Sequence, residues 1–377
     1  VTPQISADWI VGEIAAAGPL RFDRYMARAL FDPHHGYYAS GRAQIGRGGD
    51  FYTNVSVGRM FGRVLAAQCA EIWEHLGRPA AFDFVEQGAN DGRLAADLLG
   101  ALREDHPDCS RAVRCTLVEP FPPVAAAQRE TLAPFAGQVE WVDSLETLPD
   151  FCGLHFTNEY ADALPVRLFI RQGSEWLERH VAARNGALCF EDLPAPDVPA
   201  ILPGDAPESY IAETRPEADA WVTAVASKLQ RGVMLVVDYG FPRDQLYTPW
   251  RTEGTLSCYR AHRRDDDPLE EPGNKDITAH VDFTALAAAG LASGLQLAGF
   301  ADQYHFLVGA ATPLLLALET APASPQRESD LRELKTLLHP EMMGTQFKYL
   351  ALTRGMDMAP ALSGFRHARA AAPTLGV

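Results

Sequence analysis

The sequence predicts an α/β protein built on a doubly wound, Rossmann-like parallel sheet. Three observations point there. Short apolar runs alternate with helix-like segments from residue 81 onward. One of these runs ends in a glycine-containing turn that opens a helix. A later run, Val233-Met234-Leu235-Val236-Val237, is wholly apolar and β-rich, as in a strand covered on both faces.

The elements follow in order. Residues 8–31 and 57–77 place apolar side chains at helical spacing, so residues 1–80 are expected to form an N-terminal helical cap. The glycine-rich residues 36–49 lie between the two helical parts. Residues 81–85 give a first strand, and a helix runs from residue 93 to about residue 103. Residues 115–118, 139–142 and 153–157 give three more strands. A helix over about residues 208–230 precedes the fifth strand at 233–237. The sheet domain is expected to span 81–377 with two interruptions. Residues 166–207 read as a hairpin insertion followed by a Pro-rich loop. Residues 239–280, rich in Pro, Gly and charge, read as a lid-like insertion. The Ala/Pro-rich residues 359–373 are expected to pack loosely.

Composition narrows the function classes. Hydrophobic residues are 47% of the 377, enough for a real core. Lys plus Arg is 33 against 49 Asp plus Glu, a net charge of −16. Such a chain is repelled by phosphate backbones, so no nucleic-acid partner is expected, and a basic partner or neutral small molecule is favoured. The six cysteines form no C-x-x-C pair and read as reduced thiols. No His or carboxylate repeats near them at ligand spacing, so no metal is expected. No apolar stretch is long enough to span a bilayer, and residues 1–20 lack a secretory pattern. The expectation is a cytoplasmic protein without membrane insertion. The sequence leaves the oligomeric state open.

The first strand runs into Glu86-Gln87-Gly88-Ala89-Asn90-Asp91-Gly92. The dinucleotide fingerprint G-x-G-x-x-G needs glycines where this chain has Asn90 and Arg93, and fails there. The pattern E/D-x-G-x-G-x-G of methyltransferases of this fold is met by Glu86, Gly88 and Gly92, with Asn90 in the middle position. Asn tolerates left-handed backbone better than most residues. An ordinary strand–turn–helix with convenient glycines would look the same, so the other strand ends matter. Glu119 closes the second strand, where an acid can accept hydrogen bonds from ribose hydroxyls. Asp143 follows the third strand, a position suited to an adenine amino group. Asn158 and Glu159 close the fourth, at the edge where open α/β sheets bind ligands.

Several separated motifs carry a resemblance. They are Phe22-Asp23-Arg24-Tyr25-Met26, Asp32-Pro33-His34-His35-Gly36-Tyr37-Tyr38, Gly49-Asp50-Phe51-Tyr52-Thr53, the glycine turn, Asn158-Glu159-Tyr160-Ala161-Asp162-Ala163-Leu164-Pro165, Asp238-Tyr239-Gly240, Pro272-Gly273 and the run from Asp276 through His280 to Phe283. In these the chain resembles the MidA family of S-adenosylmethionine-dependent methyltransferases, from about Phe22 to Leu352. The resemblance implies a class I methyltransferase sheet and S-adenosylmethionine as cofactor. It also implies a protein-arginine substrate, since the family's mitochondrial members methylate an arginine on a subunit of the respiratory NADH dehydrogenase. Asp50, Thr53 and Asn158 would then join Glu86, Gly88, Asn90, Gly92, Glu119 and Asp143 around the cofactor. Asp238, Asp276 and His280 would serve the substrate or lid. A guanidinium needs carboxylates that match its fork, and Glu159 and Asp162 are the candidates. They would share one face if the turn carrying them were helical. Otherwise they would serve as a cap or an ion-pair partner. One departure stands out: the family follows its Gly-Asp-Phe-x-Thr with Pro-Glu, and here Val55-Ser56 replaces that pair.

Overall fold

The computed structural model describes residues 5–40, 53–260, 263–357 and 361–377. The chain divides into two compact units. One comprises Val1–Phe51, Ala161–Ala220 and Phe241–Asp282; the other comprises Tyr52–Tyr160, Trp221–Gly240 and Phe283–Val377.

The second unit holds the expected sheet. Its strands are β1 (Phe82–Gln87), β2 (Val113–Val118), β3 (Val139–Val142), β4 (Phe151–Asn158), β5 (Leu229–Phe241), β6 (Gln296–Asp302) and β7 (Phe347–Arg354). They run in the order β6-β7-β5-β4-β1-β2-β3. Pairing is parallel from β3 through β2, β1 and β4 to β5, and antiparallel where β7 lies between β5 and β6. Strand order reverses between β1 and β4, a switch point of the doubly wound kind. Register sets the C-terminal ends level: Gln87 pairs with Val118 and with Thr157, Val118 with Val142, and Asn158 with Val237.

The apolar runs explain the layering. Every residue of β1 is buried, and Val233 to Val237 are sealed on both faces. Helix α1 (Met60–His75) contributes Phe61, Leu65 and Ile72 to the core, and α2 (Arg93–Asp105) contributes Leu94, Leu98 and Leu102, a stripe at four-residue spacing. Phe84, Phe156, Leu235 and Tyr349 meet them from the sheet.

The first unit is antiparallel. Strand Glu175–Arg184 pairs with Leu20–Arg21, Arg167–Gln172 and Ala187–Pro194, and Arg167–Gln172 also pairs with Ile211–Thr214. Helices Asp8–Ala17 and Phe22–Phe31 supply Ile10, Ile14, Phe22, Tyr25, Met26 and Leu30 to a core shared with Val166, Leu168 and Val181. Much of the Phe22–Met26 motif is therefore core.

Three sequence expectations gain structural detail. The residue-80 boundary does not coincide with the units, because the helices before Gly36 pack in the antiparallel unit while α1 packs against the sheet. The lid-like 239–280 stretch carries a small sheet, with Ser257–Arg260 between Arg263–Asp265 and Asp276–Thr278. The final segment is anchored: Leu362, Phe365 and Leu375 are buried, Thr284 Oγ1 donates to the Leu375 carbonyl (2.7 Å), and Glu71 accepts from the Ser363 backbone (2.9 Å). Leu362 and Phe365 outweigh the Ala/Pro composition around them.

Candidate functional site

The turn after β1 alternates left-handed residues: φ is 77° at Gly88, 46° at Asn90 and 79° at Gly92. Asn90 thus keeps the backbone that glycine would give there. A Cβ at Gly88 would lie 2.9 Å from Tyr160 Cδ2. Tyr160 is held in place by a polar relay. Trp221 Nε1 donates to Gln87 Oε1 (2.9 Å), and Gln87 Nε2 donates to the Tyr160 hydroxyl (2.7 Å).

Glu86 lies immediately before this turn and is 3% exposed. Among the described residues its Oε2 has no hydrogen-bond partner. Burial, with Asp91 adding to it, pushes its carboxyl up to about 8. A buried carboxylate oxygen without a donor is costly unless a ligand supplies one, so this oxygen suits an ammonium or other cationic group. Burial likewise pushes Glu119 up to about 7, although it accepts from Phe121 N (2.9 Å) and Gln128 Nε2 (3.0 Å). These raised values predict a pH effect. Between 4.5, the ordinary value, and about 8, the folded chain keeps a proton on Glu86 that the unfolded chain has released. Stability of the ligand-free protein should therefore fall as pH rises through that window. Glu86→Gln should flatten the fall, read as melting temperature against pH. An unchanged slope would remove Glu86 as its source.

The remaining strand ends differ in character. Asp143 follows β3 and is exposed. Asn158 Nδ2 donates to Glu159 Oε1 (2.9 Å), while Asn158 Oδ1 accepts from the buried Asn54 (3.3 Å). Glu159 sits at φ 54°, unusual for a non-glycine residue, with its N–H donating to the Val237 carbonyl (3.0 Å). Strain of this kind is often kept at functional positions. Asp238, expected near substrate, is fully buried. Its two oxygens accept from the backbone N–H of Tyr160 (3.2 Å) and Tyr239 (2.8 Å), so it fixes the turn after β4.

The departure at Val55-Ser56 has a structural reading. Thr53 caps the short helix Asn54–Val57: Ser56 N donates to Thr53 Oγ1, and Thr53 N donates to Ser56 Oγ, both at 3.2 Å. This is a capping box, in which Ser can replace the more usual Glu. Thr53 is therefore engaged in the cap, and Asp50 lies outside the described residues.

Asp162, Asp276 and His280 belong to the antiparallel unit. The turn carrying Asp162 is not helical, so the shared-face expectation for Glu159 and Asp162 does not stand. The positive φ of Glu159 ends the strand in a conformation that no helix continues. Burial pushes Asp162 up to about 6 against the pull of Arg215. The Arg215 guanidinium donates to the carbonyls of Asp162 (3.0 Å), Leu164 (2.9 Å), Ala279 (2.7 Å) and His280 (3.3 Å). It thereby binds the two expected substrate segments of this unit to each other. Asp276 accepts from the Tyr38 hydroxyl (2.7 Å), and the His280 ring lies 5.3 Å from that of Phe241.

Sequence reasoning missed Gln87, Gln128, Tyr160 and Trp221. Gln87, Tyr160 and Trp221 meet across long stretches of chain, and only the glycine turn marked the place where they gather.

Comparison with known proteins bears on this geometry. Residues 64–301 match a family of S-adenosyl-L-methionine-dependent methyltransferases. The mitochondrial protein arginine methyltransferase NDUFAF7 homolog of Drosophila melanogaster is 29% identical, over 91% of this chain and 84% of that protein. The mitochondrial protein arginine methyltransferase NDUFAF7 of Bos taurus is 28% identical, over 93% and 83%. A COG1565 superfamily member from Burkholderia thailandensis, crystallised with S-adenosyl-homocysteine, is 36% identical with a TM-score of 0.87, covering 97% of this chain and 96% of that one. The cytoplasmic location expected from the sequence is overturned, because these curated relatives are named as mitochondrial proteins. Reduced thiols and the lack of a long apolar run do not distinguish the cytosol from an organelle interior. Among the described residues, no helix is long and apolar enough to cross a membrane. The fold, the strand-end acids and the match over most of its length agree: this chain belongs to the MidA-like family of S-adenosyl-L-methionine-dependent methyltransferases.

Proposed function

We propose that the protein methylates an arginine of a basic protein segment, with a respiratory NADH dehydrogenase subunit as the first target to test. The observation that carries this reading is Glu159, a carboxylate in strained backbone at the switch-point edge, beside the turn that holds Gly88. The names of the relatives support the arginine, and the net charge of −16 favours a basic partner.

In this reading Glu86 holds the ammonium of the cofactor's methionine end, Glu119 its ribose hydroxyls and Asp143 its adenine edge. Gly88, Asn90 and Gly92 give the backbone room. The bound cofactor supplies a methyl group already activated by a sulfonium. Glu159 orients the guanidinium and takes up the proton lost when its nitrogen is alkylated, and Asp162, three residues on in the chain, is the second carboxylate to test. Asn158 keeps Glu159 in position through its side-chain hydrogen bond.

The test is methyl transfer from isotope-labelled S-adenosylmethionine to candidate subunits, with the modified residue mapped by mass spectrometry. Label on arginine is the expected result. Label confined to another residue type or to a small molecule would overturn the substrate assignment. Calorimetry should show binding of S-adenosylmethionine and none of NAD, because Asn90 and Arg93 replace two of the three dinucleotide glycines.

A further inference from the structure

We infer that Gln128 is a positioning residue that sets the cofactor's ribose acid, the glycine turn and the adenine-side strand in one arrangement. The inference rests on the reading of Glu119 given under Proposed function. Gln128 lies on helix α3 (Pro122–Thr131) and is completely buried. Its Nε2 donates to the Asn90 carbonyl (2.9 Å) and to Glu119 Oε2 (3.0 Å), and its Oε1 accepts from Trp141 Nε1 (2.9 Å).

Chemistry fixes the orientation of this amide. An indole N–H can only donate, so it must face the amide oxygen. A backbone carbonyl and a carboxylate can only accept, so they must face the NH2. A flipped amide would lose all three bonds. One side chain therefore links three cofactor-facing segments: the turn after β1, the acid after β2, and Trp141 on β3 just before Asp143. Glu119 has one oxygen on Phe121 N and the other on Gln128. Its carboxylate is thus held at both ends, and its remaining lone pairs keep a fixed direction toward a diol. Without Gln128 the carboxylate would pivot about the single Phe121 bond, and the Asn90 carbonyl would lose its donor.

The role has a signature that general loosening of the fold lacks. If Gln128 acts by aiming Glu119 at the ribose, its removal should matter only for ligands that carry ribose hydroxyls. The experiment is calorimetric titration with S-adenosylhomocysteine and with its 2′,3′-dideoxy analogue, on wild type, Gln128→Met, Trp141→Phe and Glu119→Ala. Gln128→Met keeps the length and packing of the side chain and removes its polar atoms. It should weaken S-adenosylhomocysteine about 10- to 100-fold, as expected for losing charge-assisted alignment. The dideoxy analogue should be much less affected, so that discrimination between the two ligands narrows. Trp141→Phe frees the amide to reorient and should narrow it less. This second variant decides the matter if Gln128→Met fails to fold. Equal weakening of both ligands, or no weakening in either variant while Glu119→Ala loses discrimination, would overturn the positioning role. If Glu119→Ala itself leaves discrimination intact, the ribose reading fails and the inference falls with it.

Discussion

Gly88→Val should abolish S-adenosylhomocysteine binding while leaving the protein folded. Two effects act together. At φ 77° a β-branched residue is strained, a penalty of about 1–2 kcal/mol for any side chain with a Cβ. The added Cβ would also sit 2.9 Å from Tyr160 Cδ2 and 3.3 Å from Tyr160 Cβ. The relay through Gln87 and Trp221 resists displacement of that ring, and overpacking of this kind costs about 1–3 kcal/mol more. The turn can relieve both only by leaving the shape that faces the ligand. Affinity should drop by about 300-fold, the sum of these terms taken at its midpoint. Gly88→Ala should fall between, since it meets the same ring with less bulk. Calorimetry reads the affinity, and circular dichroism with a melting curve checks the fold. Near-normal affinity in Gly88→Val would show that the cofactor lies elsewhere.

Glu159→Gln and Asp162→Asn should each slow methyl transfer far more than they weaken the cofactor. Both changes keep size and remove one charge. Losing a charge-assisted contact to a guanidinium costs about 1.5–3 kcal/mol, on the order of ten- to a hundredfold in rate if it acts in the transition state. Cofactor affinity should hold because its proposed anchors, Glu86, Glu119 and Asp143, are untouched. The two variants also separate two roles for Asp162. Its backbone carbonyl accepts from Arg215, so Asp162→Asn leaves that bond in place. Single-turnover methylation beside a cofactor titration supplies the measurement. Full turnover in both variants would make these acids structural, and the search would move to the Asp276 region.

Much of the proposed cofactor side could be placed on strand ends because a strand end is also where an apolar run stops. Glu86, Glu119, Asp143 and Asn158 could be located by that rule, and sheet register then brought their positions to one edge. Gly88 and Asn90 were legible from turn chemistry. What the sequence could not show at Asp238 is that an acid after a strand can face inward, here to hold two backbone N–H groups. Ser56 looked like a lost carboxylate and proved to be half of a helix cap. The interleaving of the two units was hidden, since local periodicity says nothing about which segment packs with which. Helix Phe22–Phe31 reads like any amphipathic helix, yet its partners Val166, Val181 and Ile277 lie more than a hundred residues downstream.

The placement of β7 bears on how the chain reaches its native state. This strand, Phe347–Arg354, follows every other strand of its sheet in the chain, yet it is not at the rim. It fills the space between β5 and β6. Until it emerges, β5 presents an open flank of apolar residues and β6 has no neighbour to join. Long-range pairing of this kind is slow and leaves sticky edges exposed in the meantime. A nascent chain ending shortly before Phe347 would thus be an aggregation hazard despite holding every proposed catalytic and cofactor residue. A chain truncated shortly before Phe347 should therefore be recovered as insoluble product rather than as weakened enzyme.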